Sequence, residues 1–170
     1  MPRLIGLAFV AGETLALEDI RAARRAAAEA HYQAARQSPM VWDFGETEAL
    51  DDFGASVGPA GVQTLQMRDE PHLGKDDVKN WLGVGAGAIT AMIGGAPTLL
   101  QPLKTTANVW VQTTAAQALA ALVTGDGVQL SALQRGYAML QAFGAVKRAI
   151  EDAEDETALA AVDVTAGYPG

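Results

Sequence analysis

From Asn80 to Gly125 the chain carries one charged residue, Lys104. A run that long and that poor in charge belongs in a core, in a membrane, or against an apolar partner. Trp81 to Leu103 is the part that raises the membrane question. Gly83, Gly85, Gly87, Gly94, Gly95, Pro97, Gln101 and Pro102 interrupt it, and no apolar stretch reaches the roughly 18 residues of a spanning helix. The uncharged middle is therefore read as most of the core, with any remainder forming an apolar surface for a partner.

The remaining sequence carries the charge. Asp43, Glu46, Glu48, Asp51 and Asp52 form one acidic cluster without a base, and Glu151 to Glu156 forms another. The formal net charge is −8, which argues against a nucleic-acid partner and an anionic membrane surface, both of which need a basic footprint. There is no cysteine, so disulfides and thiolate metal sites are excluded. At 170 residues the chain is expected to form one α+β domain over 16–170, preceded by an N-terminal arm or edge strand over 1–15. The opening run, which includes Leu4, Ile5 and Phe9, is short for a signal peptide and lacks a good cleavage site.

Local patterns divide the domain into a helix–hairpin–helix half (16–95) and a hairpin–long helix–tail half (96–170). Leu17 to Gln37 is Ala-rich, opens on Glu18 and Asp19, and is stopped by Ser38-Pro39, which predicts a helix. Its arginines make one side basic: a solvated face or a docking stripe, with Arg25 and Glu29 spaced to pair. Met40–Gly45 and Val62–Met67 are β-prone and are expected to form a wide hairpin with an acidic loop, 45–61, at its tip. Asp76 or Asp77 opens a second helix to Ile93, in which glycines serve close packing. Thr98–Lys104 and Ala107–Gln112 suggest a further hairpin, with Pro102 holding its first strand at an edge. Thr114-Ala-Ala-Gln117 has the form of a capping box. The helix it opens falters at Gly125-Asp126-Gly127. Beyond that, Leu130, Leu133, Tyr137, Leu140, Phe143, Val146 and Ile150 recur every three or four residues, the pattern of one apolar helix face. A short helix over Glu156–Val162 precedes the end. The expected architecture is short β-hairpins packed against four to five helices, with a mainly helical C-terminal half.

Motifs with chemical meaning are few. Gly54-Ala-Ser56-Val-Gly58 matches a nucleophile elbow, but no core strand precedes it and no helix start follows, so a loop is the simpler reading. A serine hydrolase using Ser56 with His31 or His72 is the residual enzymatic alternative. Asp-Phe-Gly at Asp43–Gly45 lacks the companion loops of a kinase. The acidic cluster lacks EF-hand spacing, which leaves a solvated loop, or a weak cation site as the alternative. No catalytic residue, cofactor or metal ligand is assigned. Trp42, Trp81 and Trp110 are expected to anchor the core, and an exposed one would mark an interface.

Three segments carry a resemblance: Ile20-Arg-Ala-Ala-Arg-Arg-Ala-Ala27, Val109-Trp-Val-Gln-Thr-Thr114, and Ala158 to Val164 leading into Gly167-Tyr168-Pro169. In them the chain resembles a phage-encoded domain of unknown function common in tail and tail-fibre gene modules. It departs from that pattern in the acidic loop and in Tyr168, where tryptophan is expected. The resemblance implies a non-enzymatic structural protein of the virion, near the tail fibre or distal tip, that contacts other tail or fibre proteins and is oligomeric or embedded in an assembly. The alternative it leaves open is a fibre assembly chaperone that is absent from the finished particle. The interface candidates are Leu4, Ile5, Phe9, Gly83, Gly87, Trp110 and Tyr168.

Overall fold

In a computed structural model, residues 17–70 and 74–169 are described. The fold is α+β, with five α-helices, small antiparallel sheets and a mainly helical C-terminal half. Leu4, Ile5, Phe9 and His72 lie outside the described residues. The chain divides into two compact units: Arg36–Tyr137, and the residues up to Ala35 together with those from Ala138 onward.

The Arg36–Tyr137 unit is built on strand pairs. Strand β1 (Met40–Asp43) runs antiparallel to β4 (Val62–Leu65), with Met40 opposite Leu65 and Asp43 opposite Val62. This is the wide hairpin that the sequence suggests. Its tip, expected to be a loop, instead holds a second hairpin, β2 (Glu48–Leu50) with β3 (Ser56–Pro59). That hairpin is recruited into a sheet of order β3-β2-β8-β7, in which β7 is Leu103–Lys104 and β8 is Trp110–Val111. The reason is non-local. Short acidic strands have little β-preference of their own, but Ala49 pairs with Val111 and is buried beneath the sheet. As expected, Pro102 stands beside an edge strand.

A smaller pair, β5 (Asp69–Glu70) with β6 (Lys75–Asp76), leads into α2 (Asp77–Ile93). The Asp76 carboxylate caps α2 by accepting from the Lys79 amide at 3.3 Å. Helix α3 (Ala115–Leu119) begins at the expected capping box. The Thr114 hydroxyl accepts from the Gln117 amide at 3.3 Å, and the Gln117 side chain accepts from the Thr114 amide at 2.9 Å. One π-helical turn, Ala120–Thr124, extends α3. The core gathers Met40, Trp42, Leu65, Leu103, Val111 and Leu122, and a second cluster joins Ala88 and Ala91 of α2 to Ala115 and Ala118 of α3.

In the other unit, α1 (Leu17–Gln37) contributes Ala28 to a core with Val146 and Ile150 of α4 (Ala132–Asp152), Ala153 just beyond it, and Leu159 of α5 (Glu156–Ala161). On the basic side of α1, Arg21, Arg24 and Arg25 bind this unit's own C-terminal segment, while the exposed Arg36 pairs with Asp69 within the Arg36–Tyr137 unit. Arg21 donates to the carbonyls of Ile150 and Ala153 at the end of α4, where unpaired carbonyls and the helix dipole favour a cation. Arg24 donates to Ala160 O at 2.7 Å. Arg25 makes a two-point pair with Glu151 at 2.7 and 2.6 Å and not the i,i+4 pair with Glu29, whose carboxylate accepts from Gln33.

The apolar face expected on α4 holds over its second half, where Val146 and Ile150 are buried and Phe143 packs against them, and is corrected over the first. Leu130, Leu133, Tyr137 and Leu140 are exposed, and the buried seam there runs through Ser131, Arg135, Met139 and Ala142. Spacing of three or four fits both faces, and over that half hydrophobicity favoured the wrong one. A serine and an arginine occupy the inner face because each finds a partner there. Ser131 donates to Val123 O at 2.8 Å, and Arg135 donates to the Ser38 carbonyl and hydroxyl at 3.1 and 2.6 Å. Burial lowers the Arg135 pKa from its ordinary value.

Gly125 is the backbone position that these contacts tolerate least well to change. It lies at φ 73°, ψ 177°, a region open essentially to glycine, and an added Cβ would stand 2.9 Å from Gln129 O. Gly125→Ala should destabilise the protein by about 2–3 kcal/mol. Thr114→Ala, which removes half of the capping box, should cost about 1 kcal/mol. Thermal unfolding followed by circular dichroism should rank them in that order; equal melting temperatures would contradict it.

Candidate interaction surface

Side chains alternate across a strand, so burial of Ala49, Leu103 and Val111 turns Leu50, Lys104 and Trp110 to the other face of the sheet. The register then sets them side by side, with Leu50 opposite Trp110 and Trp110 opposite Lys104. Trp110 remains 38% exposed, while Trp42 is buried and Trp81 donates its indole N–H to Gln66 O at 2.6 Å. Two of the three tryptophans anchor structure as expected; Trp110 is the exception.

Trp110 is held in place. Its Nε1 donates to Asp52 Oδ1 at 3.1 Å, and Lys104 Nζ donates to the same oxygen at 2.8 Å. The Lys104 ammonium also lies 5.2 Å from the Trp110 ring centroid, within cation–π range. The hydrogen bond from Lys104, helped by the one from Trp110, holds the Asp52 carboxyl below its usual range. An aromatic so braced loses little freedom when a partner covers it.

Beside the ring lies an open concavity of about 360 Å³, lined by Leu50, Asp51, Asp52, Pro102 and Gln112 among others. Small-molecule sites enclose most of their ligand. A shallow depression beside a fixed tryptophan is better suited to a side chain on a protein surface, where aromatic residues carry much of the binding energy.

The remaining candidates fall elsewhere. Gly83 is exposed, with open space where a Cβ would point, so it is not one of the closely packed glycines. At Gly87 an added Cβ would stand 3.2 Å from Gln101 Oε1, and at Gly85 it would stand 3.3 Å from Val123 Cγ2. Tyr168 belongs to the other unit and meets His31 edge-on at 4.6 Å. Ser56 is the first residue of β3, and its hydroxyl accepts from the Gly58 amide at 3.4 Å. The acidic cluster is largely occupied with local structure: Asp43 accepts from the Gly45 amide, and Asp51 accepts from the Phe53 and Ala55 amides. Among the described residues no three metal-ligating side chains converge.

Sequence reasoning missed the roles of Asp52 and Lys104. The signal that could have found them was Lys104 itself, the lone charge in an uncharged region that also holds Trp110.

The bracing of Trp110 should depend on pH in a defined direction. A folded pKa below the ordinary Asp value of 3.8 means that the ionised form is favoured by folding; the bracing is complete above that value and lost as pH falls through the lower, folded one. Trp110 emission, taken as wild type minus Trp110→Phe, should therefore titrate with a midpoint below 3.8, and Lys104→Met should move that midpoint upward. A wild-type midpoint at or above 3.8, or one indifferent to Lys104→Met, would refute the bracing.

Compared with protein-family models, with curated proteins and with solved structures, the chain matches none.

Proposed function

We propose that the chain is a non-enzymatic structural protein of a phage tail, at the fibre or distal tip, working through protein–protein contact. The observation that carries the contact role is the exposed, braced Trp110 on the outer face of the four-stranded sheet. The tail assignment is supported by the resemblance in the segments 20–27, 109–114 and 158–169. The non-enzymatic reading is supported by the setting of Ser56, which opens the short strand β3 and is followed by another strand, so it lacks the strand–turn–helix of a nucleophile elbow.

Quantitative mass spectrometry of purified particles from the phage that encodes the chain tests this reading. A fixed, low copy number relative to the tail-tube protein is expected. Trp110→Ala should deplete the chain from particles while leaving its circular dichroism spectrum unchanged. Absence of the wild-type chain from particles, with abundant protein in the lysate, would overturn the structural role and favour an assembly chaperone.

A further inference from the structure

The lining of the concavity beside Trp110 combines apolar surface, from Leu50, Pro102 and Trp110, with hydrogen-bond acceptors, from Asp51, Asp52 and Gln112. These acceptors have capacity to spare. Asp51 Oδ1 accepts from the Phe53 and Ala55 amides at 2.9 and 2.8 Å, and Asp52 Oδ1 accepts from Lys104 and Trp110. Oδ2 of each accepts from no described residue. Gln112 uses its side-chain nitrogen on Trp110 O at 3.4 Å, which leaves its side-chain oxygen as an acceptor. Lys104 is not among the lining residues, so none of them is a cation.

From these features we infer that the concavity receives an arginine side chain of a partner protein, its guanidinium lying against Trp110 and Pro102 and donating to Asp51 and Asp52. Charge supplies the first argument. Lys104 offsets Asp52, but Asp51 has no cation partner among the described residues. Nor has Glu48, which strand alternation places on the same outer face as Leu50. The surroundings are therefore net negative and complement a cation. An acidic side chain would meet like charge, and a neutral apolar one would use none of the acceptors.

Shape selects arginine among cations. A guanidinium is planar, weakly hydrated and carries five donors, so it stacks on rings and pairs with carboxylates at once. An ammonium is a strongly hydrated point charge, and Lys104 already holds that position 5.2 Å from the Trp110 ring centroid. Phe53 points to a protein as the source. It is 95% exposed in the turn between β2 and β3, it stands between the lining residues Asp52 and Gly54 in sequence, and Asp51 fixes its amide. A phenyl ring set there is covered only by a surface wider than one side chain. The inference gives the chemistry of the partner in the contact role proposed above and rests on that reading. Binding is measured on the isolated protein, so its failure is distinguishable from absence of the chain from particles.

The test follows the Trp110 indole N–H by proton–nitrogen NMR of the full-length protein, with its resonance assigned by loss in Trp110→Phe. Nα-acetyl-arginine N-methylamide, a guanidinium on a capped backbone, should shift that resonance saturably at millimolar concentration and constant ionic strength. The capped citrulline analogue, alike in shape but uncharged, and the capped lysine analogue should each bind at least about threefold more weakly. Free arginine, which carries its own carboxylate, should also bind more weakly than the capped form. Asp51→Asn keeps an oxygen for the Phe53 and Ala55 amides and should weaken binding of the capped arginine about threefold, with an unchanged circular dichroism spectrum. Glu154→Gln removes an exposed charge from the other unit and should leave binding unchanged. A Trp110 resonance that does not shift saturably overturns the inference. So does equal binding of the citrulline or lysine analogue, tighter binding of free arginine, or an affinity that Asp51→Asn leaves unchanged or Glu154→Gln weakens equally.

Discussion

The close approach of α2 to α3 constrains much of the Arg36–Tyr137 unit. The two helices meet through Ala88 and Ala91 on one side and Ala115 and Ala118 on the other. Alanines at a crossing let the helix axes come near, and dispersion then gains from many backbone and methyl contacts at short range. Gly85 extends the seam, where even a methyl would crowd Val123. Where α2 meets α3 its inner side is held by Gly and Ala, with Trp81 and Val84 on the core beside them, so its Leu and Ile lie elsewhere. The 3.6-residue period sends Leu82, Ile89 and Ile93 to the outer side, and the absence of charge between Asn80 and Leu103 leaves that side apolar. The exposed ridge thus follows directly from the inner seam.

The same segment positions the sheet. After α2 the chain returns along the helix, pairs Leu100 with Thr114, and continues into β7 and β8. Thr114 is at once the end of that excursion and the N-cap of α3. Fixing the cap fixes where β8 stops and hence which residue of it faces outward. Trp110 occupies that outer position because Val111 fills the inner one. Asp52 reaches it only because β2 pairs with β8 from the other side. The brace is therefore a product of register, and a one-residue slip in either pairing would turn Trp110 or Leu50 toward the core.

Much of this was legible in the sequence because local chemistry decided it. The limits of α1, the Thr114 capping box and the stop at Gly125 depend on residues within a few positions of one another and were read correctly, and the start of α2 was narrowed to Asp76 or Asp77, of which Asp76 is the cap. Pairing between distant segments was not legible. The acidic stretch 45–61 looks like a loop until β8 supplies its partner, and Asp52 gives no sign of Trp110, 58 residues away. The first half of the α4 face was misread for a related reason, whereas Phe143, Val146 and Ile150 lie on the core as expected. A hydrophobic pattern ranks Leu133 and Tyr137 above Ser131 and Arg135, whereas burial followed the polar partners at Val123 and Ser38.

Charge ties these observations together. Many of the acidic and basic groups are committed to local structure: Asp43, Asp51, Asp126, Asp155 and Asp163 accept from nearby backbone amides, and Arg21, Arg24 and Arg25 bind carbonyls or Glu151 at the C-terminal end. Backbone amides of Gln129 and Val128 lower the Asp126 pKa, and the Thr165 hydroxyl, helped by its amide, lowers that of Asp163. A surface organised in this way repels other acidic surfaces. Two places differ, because charge is absent or internally neutralised there. The α2 ridge has no charge, and at Trp110 the carboxylate of Asp52 is matched by Lys104. Both can be covered by a partner without stranding an unpaired ion, the cost that most often forbids burial of a surface.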